Sequence, residues 1–339
     1  RYGYDPSIYR TESIVDLVKQ HRNGGDIFPE SIDVVVGGFP CQDFSVAGKR
    51  KGFNSMRTHD GKLRADDLPT EETRGKLYYW MKEVIDITKP KIFIAENVKG
   101  LVNMGQVKDI IQADFSQADG NGYIVLSPQV LHAGNYGVPE SRERVIFIGI
   151  RKDALKEEIA QILKNDLIPN HLNPYPQPTH NCTLNDETLA TPVVLCDVLK
   201  QLKEPKESFD PSQRFYSKAK YMGAHCQGQK EITMNSIGPT IRSEHHGNIE
   251  YRRLSLEHGG TNKNELEKGL AERRLTPREC ALIQTFPPDF QFVIPKDYDW
   301  KRFIVSASGA YKVIGNAVPP ILAYHIAMRI QNLWSTYFK

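Results

Sequence analysis

Between residues 31 and 150 short apolar runs alternate with amphipathic stretches, and that alternation restricts the fold more than any other feature of the chain. Residues 32–36, 92–95, 123–126 and 145–150 have strand length and β-branched character, whereas residues 74–88 and 106–116 carry helical periodicity. In the first of these helices Leu77, Met81, Val84 and Ile85 recur at three- and four-residue spacing, which turns one apolar face toward a sheet. Strands and helices in alternation bury their apolar surfaces by layering. The pattern therefore predicts an α/β fold built on a doubly wound sheet. With 339 residues, 40% hydrophobic and 25% charged, the chain is long enough for that core and a smaller second domain.

Past residue 151 the rhythm is lost, and Pro, Asn, Gln, His and Tyr rise while long apolar strands disappear. A loop-rich domain is expected over 152–268, between a first domain at 1–151 and a returning segment at 269–339. The return opens with "LTPRECALIQTF", where Thr276 is placed to cap a helix, Pro277 to occupy its first position and Glu279 to close a capping box. A long final helix follows Pro319 and Pro320. The longest apolar runs, residues 91–95 and 145–150, are far short of a bilayer, and the first residues hold no apolar signal core. The five cysteines, at 41, 182, 196, 226 and 280, are odd in number and irregular in spacing, as individual thiols in a reducing compartment are. A cytoplasmic protein is expected. Its net charge of +3 permits a nucleic-acid partner without requiring one.

In doubly wound folds ligands bind beyond the carboxyl ends of the strands. "GGFPCQDFS" places Cys41 just after the first predicted strand, and "KIFIAENVKG" brings Glu96 and Asn97 to the same edge. "VPESRERVIFIGI" adds Arg142 and Arg144, two residues apart and on one face if extended. A lone cysteine is as often a buried, inert thiol, and an acid after a strand is often a solvated loop residue. Thiol, carboxylate and guanidinium nevertheless converge on one edge in this reading.

Five stretches in order, "GGFPCQDFS", "AENVKG", the R-x-R of "SRERV", "RRLTPRECALIQTFP" and "YKVIGNAVPP", make the chain resemble the DNA (cytosine-5) methyltransferases of bacterial restriction-modification systems. The likeness covers roughly 1–150 and 270–339 and implies a Rossmann-like fold dependent on S-adenosylmethionine. It also implies a mechanism. Because C5 of cytosine is a poor nucleophile, Cys41 would add to C6 as a thiolate, and Glu96, its pKa raised, would hold a proton at N3. Asn97 would orient the loop, Arg144 would hold the base O2, and Arg142 would brace the site or a phosphate. The target base must leave the duplex to be reached, so the partner is double-stranded DNA. In the segment from Gln42 onward, Ser45 would meet a phosphate while Lys49, Arg50 and Lys51 supply attraction that is independent of sequence.

Two departures from the family pattern stand out. Glu140 occupies the place of the usual glutamine before R-x-R. The aromatic-x-Gly-x-Gly turn that cradles the methionine end of the cofactor is also missing, which predicts poor cofactor binding and a first strand supplied upstream or by another chain. The remaining cofactor contacts implied are Asp26, Ile27, Pro40, Asn316 and Val318. Sequence choice is expected from "KAKYMGAHCQGQK" and "TIRSEHHGNIEYRRL", with Arg242, His245, His246, Asn248 and Arg252 as base or phosphate contacts. The pairs around His180, Cys182, His225 and Cys226 lack the spacing of a zinc module, so no metal is expected. Two other readings remain: a tRNA cytosine-5 methyltransferase, and a partial or non-catalytic DNA-binding subunit that needs a second chain.

Overall fold

The computed structural model describes residues 3–39, 77–103, 107–243, 249–298 and 300–339. By contacts the chain falls into two compact units. One gathers Arg1–Leu131, Glu143–Tyr175 and Ile330–Lys339, and the other His132–Arg142 and Pro176–Arg329.

The first unit is built on a mixed sheet. Helix α1 (Ile14–Arg22) starts at Ser13, whose hydroxyl accepts from Val15 N, and buries Val15, Leu17 and Val18. It is followed by β1 (Val34–Gly38), α2 (Tyr78–Thr88), β2 (Ile92–Val98), α3 (Val107–Ser116), β3 (Tyr123–Val125), β4 (Gln129–His132), β5 (Glu143–Arg151) and α4 (Glu157–Leu163). Strand order is β1-β2-β5-β3, with β4 also paired to β5. β1 runs parallel to β2, whereas β5 is antiparallel to both β2 and β3. The α/β class expected from periodicity is present, with helices α2 and α3 contributing Met81, Ile85, Ile111 and Phe115 to the core over Phe93, Ala95, Val145 and Phe147.

Local packing explains two glycines that look out of place in strands. Gly149 in β5 lies opposite Phe93 in β2, and a Cβ there would sit 2.0 Å from the Phe93 ring. The ring fills the space that a side chain would otherwise need. Gly37 likewise faces Met81, whose Sδ would be 2.9 Å from an added Cβ. This is why β1 runs two residues later than expected from the apolar run: the glycine pair reads as a turn but stays in register with Ala95 and Glu96.

The second unit contains α5 (Leu195–Leu199), α6 (Pro211–Arg214), β6 (Tyr251–Arg253), α7 (Lys263–Glu267), β7 (Arg273–Arg274), α8 (Pro277–Ile283), β8 (Ile294–Pro295), β9 (Phe303–Val305) and α9 (Ala307–Asn316). Among its described residues the sheets are two short pairs, β6–β7 and β8–β9. Leu195, Leu199, Leu275, Ala281, Ile283 and Ile314 form a core fully closed to solvent. The α8 capping box is present: Thr276 Oγ1 accepts from Glu279 N at 3.0 Å, and the Glu279 carboxylate accepts from Thr276 N at 2.9 Å. Helix α10 (Pro320–Tyr337) begins after Pro319, as predicted, and its last turn returns to the first unit, where Tyr337 O accepts from Lys156 N and Lys91 Nζ lies 5.4 Å over the Trp334 ring. No helix among the described residues is long and apolar enough to cross a membrane.

Candidate active site

Strand pairing alone brings three residues to one face of the first unit's sheet. Glu96 lies beside Gly38 on one side, while on the other Arg144 pairs with Val98, the next residue of β2 on the same face. Glu96 and Arg144 are thus diagonal neighbours. Arg144 Nε stands 2.7 Å from Glu96 Oε1, with side chains only 11% and 16% exposed. Gly38 makes room for the acid, since a Cβ at that position would lie 3.0 Å from Glu96 Oε2. A carboxylate fixed by a planar guanidinium at the end of a strand presents its second oxygen in one set direction.

Asn97 points the other way and is buried. Its Nδ2 donates to Phe39 O at 3.1 Å, and its Oδ1 accepts from Val98 N at 2.8 Å. The bond ties the chain leaving β1 to the end of β2, one residue short of Pro40. Phe39 itself is held against Tyr78, with ring centroids 6.2 Å apart. Cys41 lies outside the described residues, as do Pro40, Gln42, Ser45, Lys49, Arg50, Lys51, His245, His246 and Asn248.

Arg142 does not share the surroundings of Arg144. It belongs to the second unit and is fully buried, with Nη1 donating to Ile241 O at 2.9 Å and Nη2 to Gly315 O and Ala317 O at 2.8 Å each. Of the two roles expected of it, bracing the site or a phosphate, the second is closed to a guanidinium committed to three carbonyls and shut off from solvent: it braces main chain. The expected negative charge of Glu140 is also enclosed, 3.5 Å from Arg142 Nη1, and its Oε1 accepts from Ile241 N at 2.6 Å.

Of the expected DNA contacts, Arg242 and Arg252 are among the described residues. The Arg242 side chain is one-third exposed, with Glu250 3.9 Å away. Burial pushes the Glu250 carboxyl up, against the opposing pull of Lys230 N and Arg242. Arg252 is 9% exposed and donates to Glu265 Oε1 at 2.6 Å, so its guanidinium is engaged in an ion pair. It stands in a larger network, in which Arg253 and Arg273 both hold Glu204 and Arg273 grips Glu279 through two bonds of 2.8 and 2.9 Å. Burial alone would raise Glu204, but those two guanidiniums outweigh it and hold its carboxyl at about 2.

The residues expected at a cofactor are divided between the units. Asp26 is exposed and Ile27 half-buried after α1, while Asn316 is the exposed last residue of α9 and Val318 is half-buried beyond it. Sequence reasoning missed a hollow of about 380 Å³ beside β1, lined by Ser13, Val36, Phe39, Leu77 and Met81 among others. The signal for it was the α2 periodicity itself, which placed Leu77 and Met81 on the sheet-facing side.

A family profile described as C-5 cytosine-specific DNA methylase matches residues 7–332. The Type II methyltransferase M.FnuDI of Fusobacterium nucleatum is 30% identical, over 97% of this chain and 86% of its own length. M.HpaII of Haemophilus parainfluenzae, also a Type II methyltransferase, is 30% identical over 87% of this chain and 71% of its own. In fold the chain is similar to the S. pombe Dnmt2 methyltransferase, with a TM-score of 0.53 and 14% identity over 96% of this chain and 84% of that one.

Proposed function

The chain belongs to the C-5 cytosine-specific DNA methylase family, as a DNA (cytosine-5) methyltransferase of the bacterial restriction-modification type, and on that premise we propose that it turns a cytosine out of the duplex and methylates it through a covalent adduct with Cys41. The observation that carries this reading is the Glu96–Arg144 pair at 2.7 Å, on the sheet edge to which Asn97 ties Phe39.

The Cys41 thiolate adds to C6 and pushes electron density through the ring to C5 and N3. Glu96 meets that density with a proton at N3 while Arg144 fixes its Oε1 and hydrogen-bonds the base O2. Once C5 carries the methyl group, a water molecule takes its C5 proton, the pair left behind re-forms the C5–C6 double bond, and the C6–S bond breaks to release Cys41 as a thiolate. Asn97 keeps the chain before Cys41 in place, so that the sulfur meets C6 at bonding distance.

S-adenosylmethionine supplies an electrophilic methyl group when bound. The hollow beside β1 has apolar walls, Leu77 and Met81 among them, that suit its adenine. Asp26 and Ile27 are the described residues of the first unit that would meet the adenine. Residues 152–268 choose the DNA sequence, and methylation there protects host DNA from a cognate endonuclease.

The test is Glu96→Gln. It keeps a donor for N3 but cannot transfer a proton, so methyl transfer on the cognate duplex should fall about 100-fold or more while duplex binding changes little. Equal single-turnover rates for Glu96→Gln and the parent over about pH 6–8 would remove Glu96 from catalysis.

A further inference from the structure

Glu140 and Arg142 grip one residue from both of its main-chain polar groups. Glu140 Oε1 accepts from Ile241 N at 2.6 Å, and Arg142 Nη1 donates to Ile241 O at 2.9 Å. The two side chains are 3.5 Å apart and both have 0% exposure, so each charge compensates the other where water cannot. The main chain adds to the grip. Ser141 N donates to Gly238 O and Gly238 N to Pro139 O, both at 2.8 Å, and Thr240 Oγ1 donates to Ser141 O.

The same Arg142 carries the grip to the end of α9. Its Nη2 bonds Gly315 O and Ala317 O, and Gly315 approaches the next residue so closely that a Cβ would lie 2.1 Å from the Arg242 carbonyl carbon. Residues 238–242 are therefore held on two sides, by the 139–142 segment and by the α9 terminus. A glutamine at 140 could accept from Ile241 N as well, but it would leave the buried Arg142 charge without its closest counter-charge. The carboxylate and the guanidinium work as a unit.

We propose that Glu140 and Arg142 are a positioning pair that fixes the direction in which Arg242 leaves Ile241, and so sets which base pairs the enzyme accepts. The proposal rests on the reading that the segment from Arg242 onward contacts bases. Neither residue touches the DNA. They act through the Ile241 peptide, and their removal changes selectivity more than rate.

The experiment measures kcat/KM for methyl transfer on the cognate duplex and on single-mismatch duplexes, with thermal melts for each variant. Glu140→Met should lower the cognate-to-mismatch ratio about ten-fold, with a smaller fall in cognate kcat. Glu140→Gln, whose amide oxygen still accepts from Ile241 N but which leaves the Arg142 charge uncompensated, should give a ratio between those of the parent and Glu140→Met. Arg142→Lys, which cannot span three carbonyls, should lower the ratio too, and it decides the matter should Glu140→Met not fold. If Glu140→Met and Arg142→Lys slow all duplexes alike and leave the ratio intact, the pair is merely structural and the proposal fails. A parallel variant with alanine at Arg242, His245, His246 and Asn248 tests the underlying reading. A ratio unchanged in that variant sinks the recognition role and the pair's role with it; a ratio that falls there but not in Glu140→Met sinks the pair alone.

Discussion

Arg142 and Arg144 are two residues apart in the chain and do opposite things. Arg144 opens β5 and sits diagonally across from Glu96, its guanidinium partly open to solvent and bonded to an acid. Arg142 belongs to the other compact unit, closed to solvent and bonded to the carbonyls of Ile241, Gly315 and Ala317. The first surroundings suit a group that must meet a substrate, and the second suit one that must hold main chain still. The same contrast recurs between Arg242, one-third exposed, and Arg252, locked to Glu265.

The sharpest way to break this comparison is at Arg144. Arg144→Lys keeps the charge but not the fork, so single-turnover methyl transfer should fall about 100-fold on every duplex, without a change in preferred sequence. A rate within about two-fold of the parent would mean that the pairing with Glu96 is structural. Arg252 provides the smaller, opposite effect. Arg252→Met removes one partner from Glu265 but leaves Arg253 on that carboxylate, so stability should drop by about 1–3 kcal/mol in denaturant melts while site preference stays fixed. A change in preferred sequence with unchanged stability would place Arg252 among the base readers.

The sequence made the layered core legible because its signal is local. Leu77, Met81 and Ile85 reach the core as their spacing required, and the α8 capping box closes as Thr276 and Glu279 predicted. Strand β2 was harder to bound. It continues through Glu96, Asn97 and Val98, where polarity reads as loop, because Gly38 and Arg144 on either side give those residues a reason to stay extended. Helix α1 went unseen for want of a strong apolar run, although its Ser13 cap was there to read. The fates of Arg142 and Arg252 were not legible at all. Arg142 depends on partners far along the chain, 173 residues away in the case of Gly315, and Arg252 on Glu265, 13 residues further on; extended-chain alternation cannot foresee either, nor that β5 begins only after Arg142.

The central claim is that the sheet edge holding Glu96, Asn97 and Arg144 serves a covalent reaction at Cys41. It is tested most directly by trapping on a duplex with 5-fluorocytosine at the target position, in the presence of S-adenosylmethionine, followed by mass mapping of the adduct. The account predicts an adduct through Cys41, none with Cys41→Ser, and formation slowed about 100-fold by Glu96→Gln. An adduct through another cysteine, or one formed equally fast in Glu96→Gln, would contradict it.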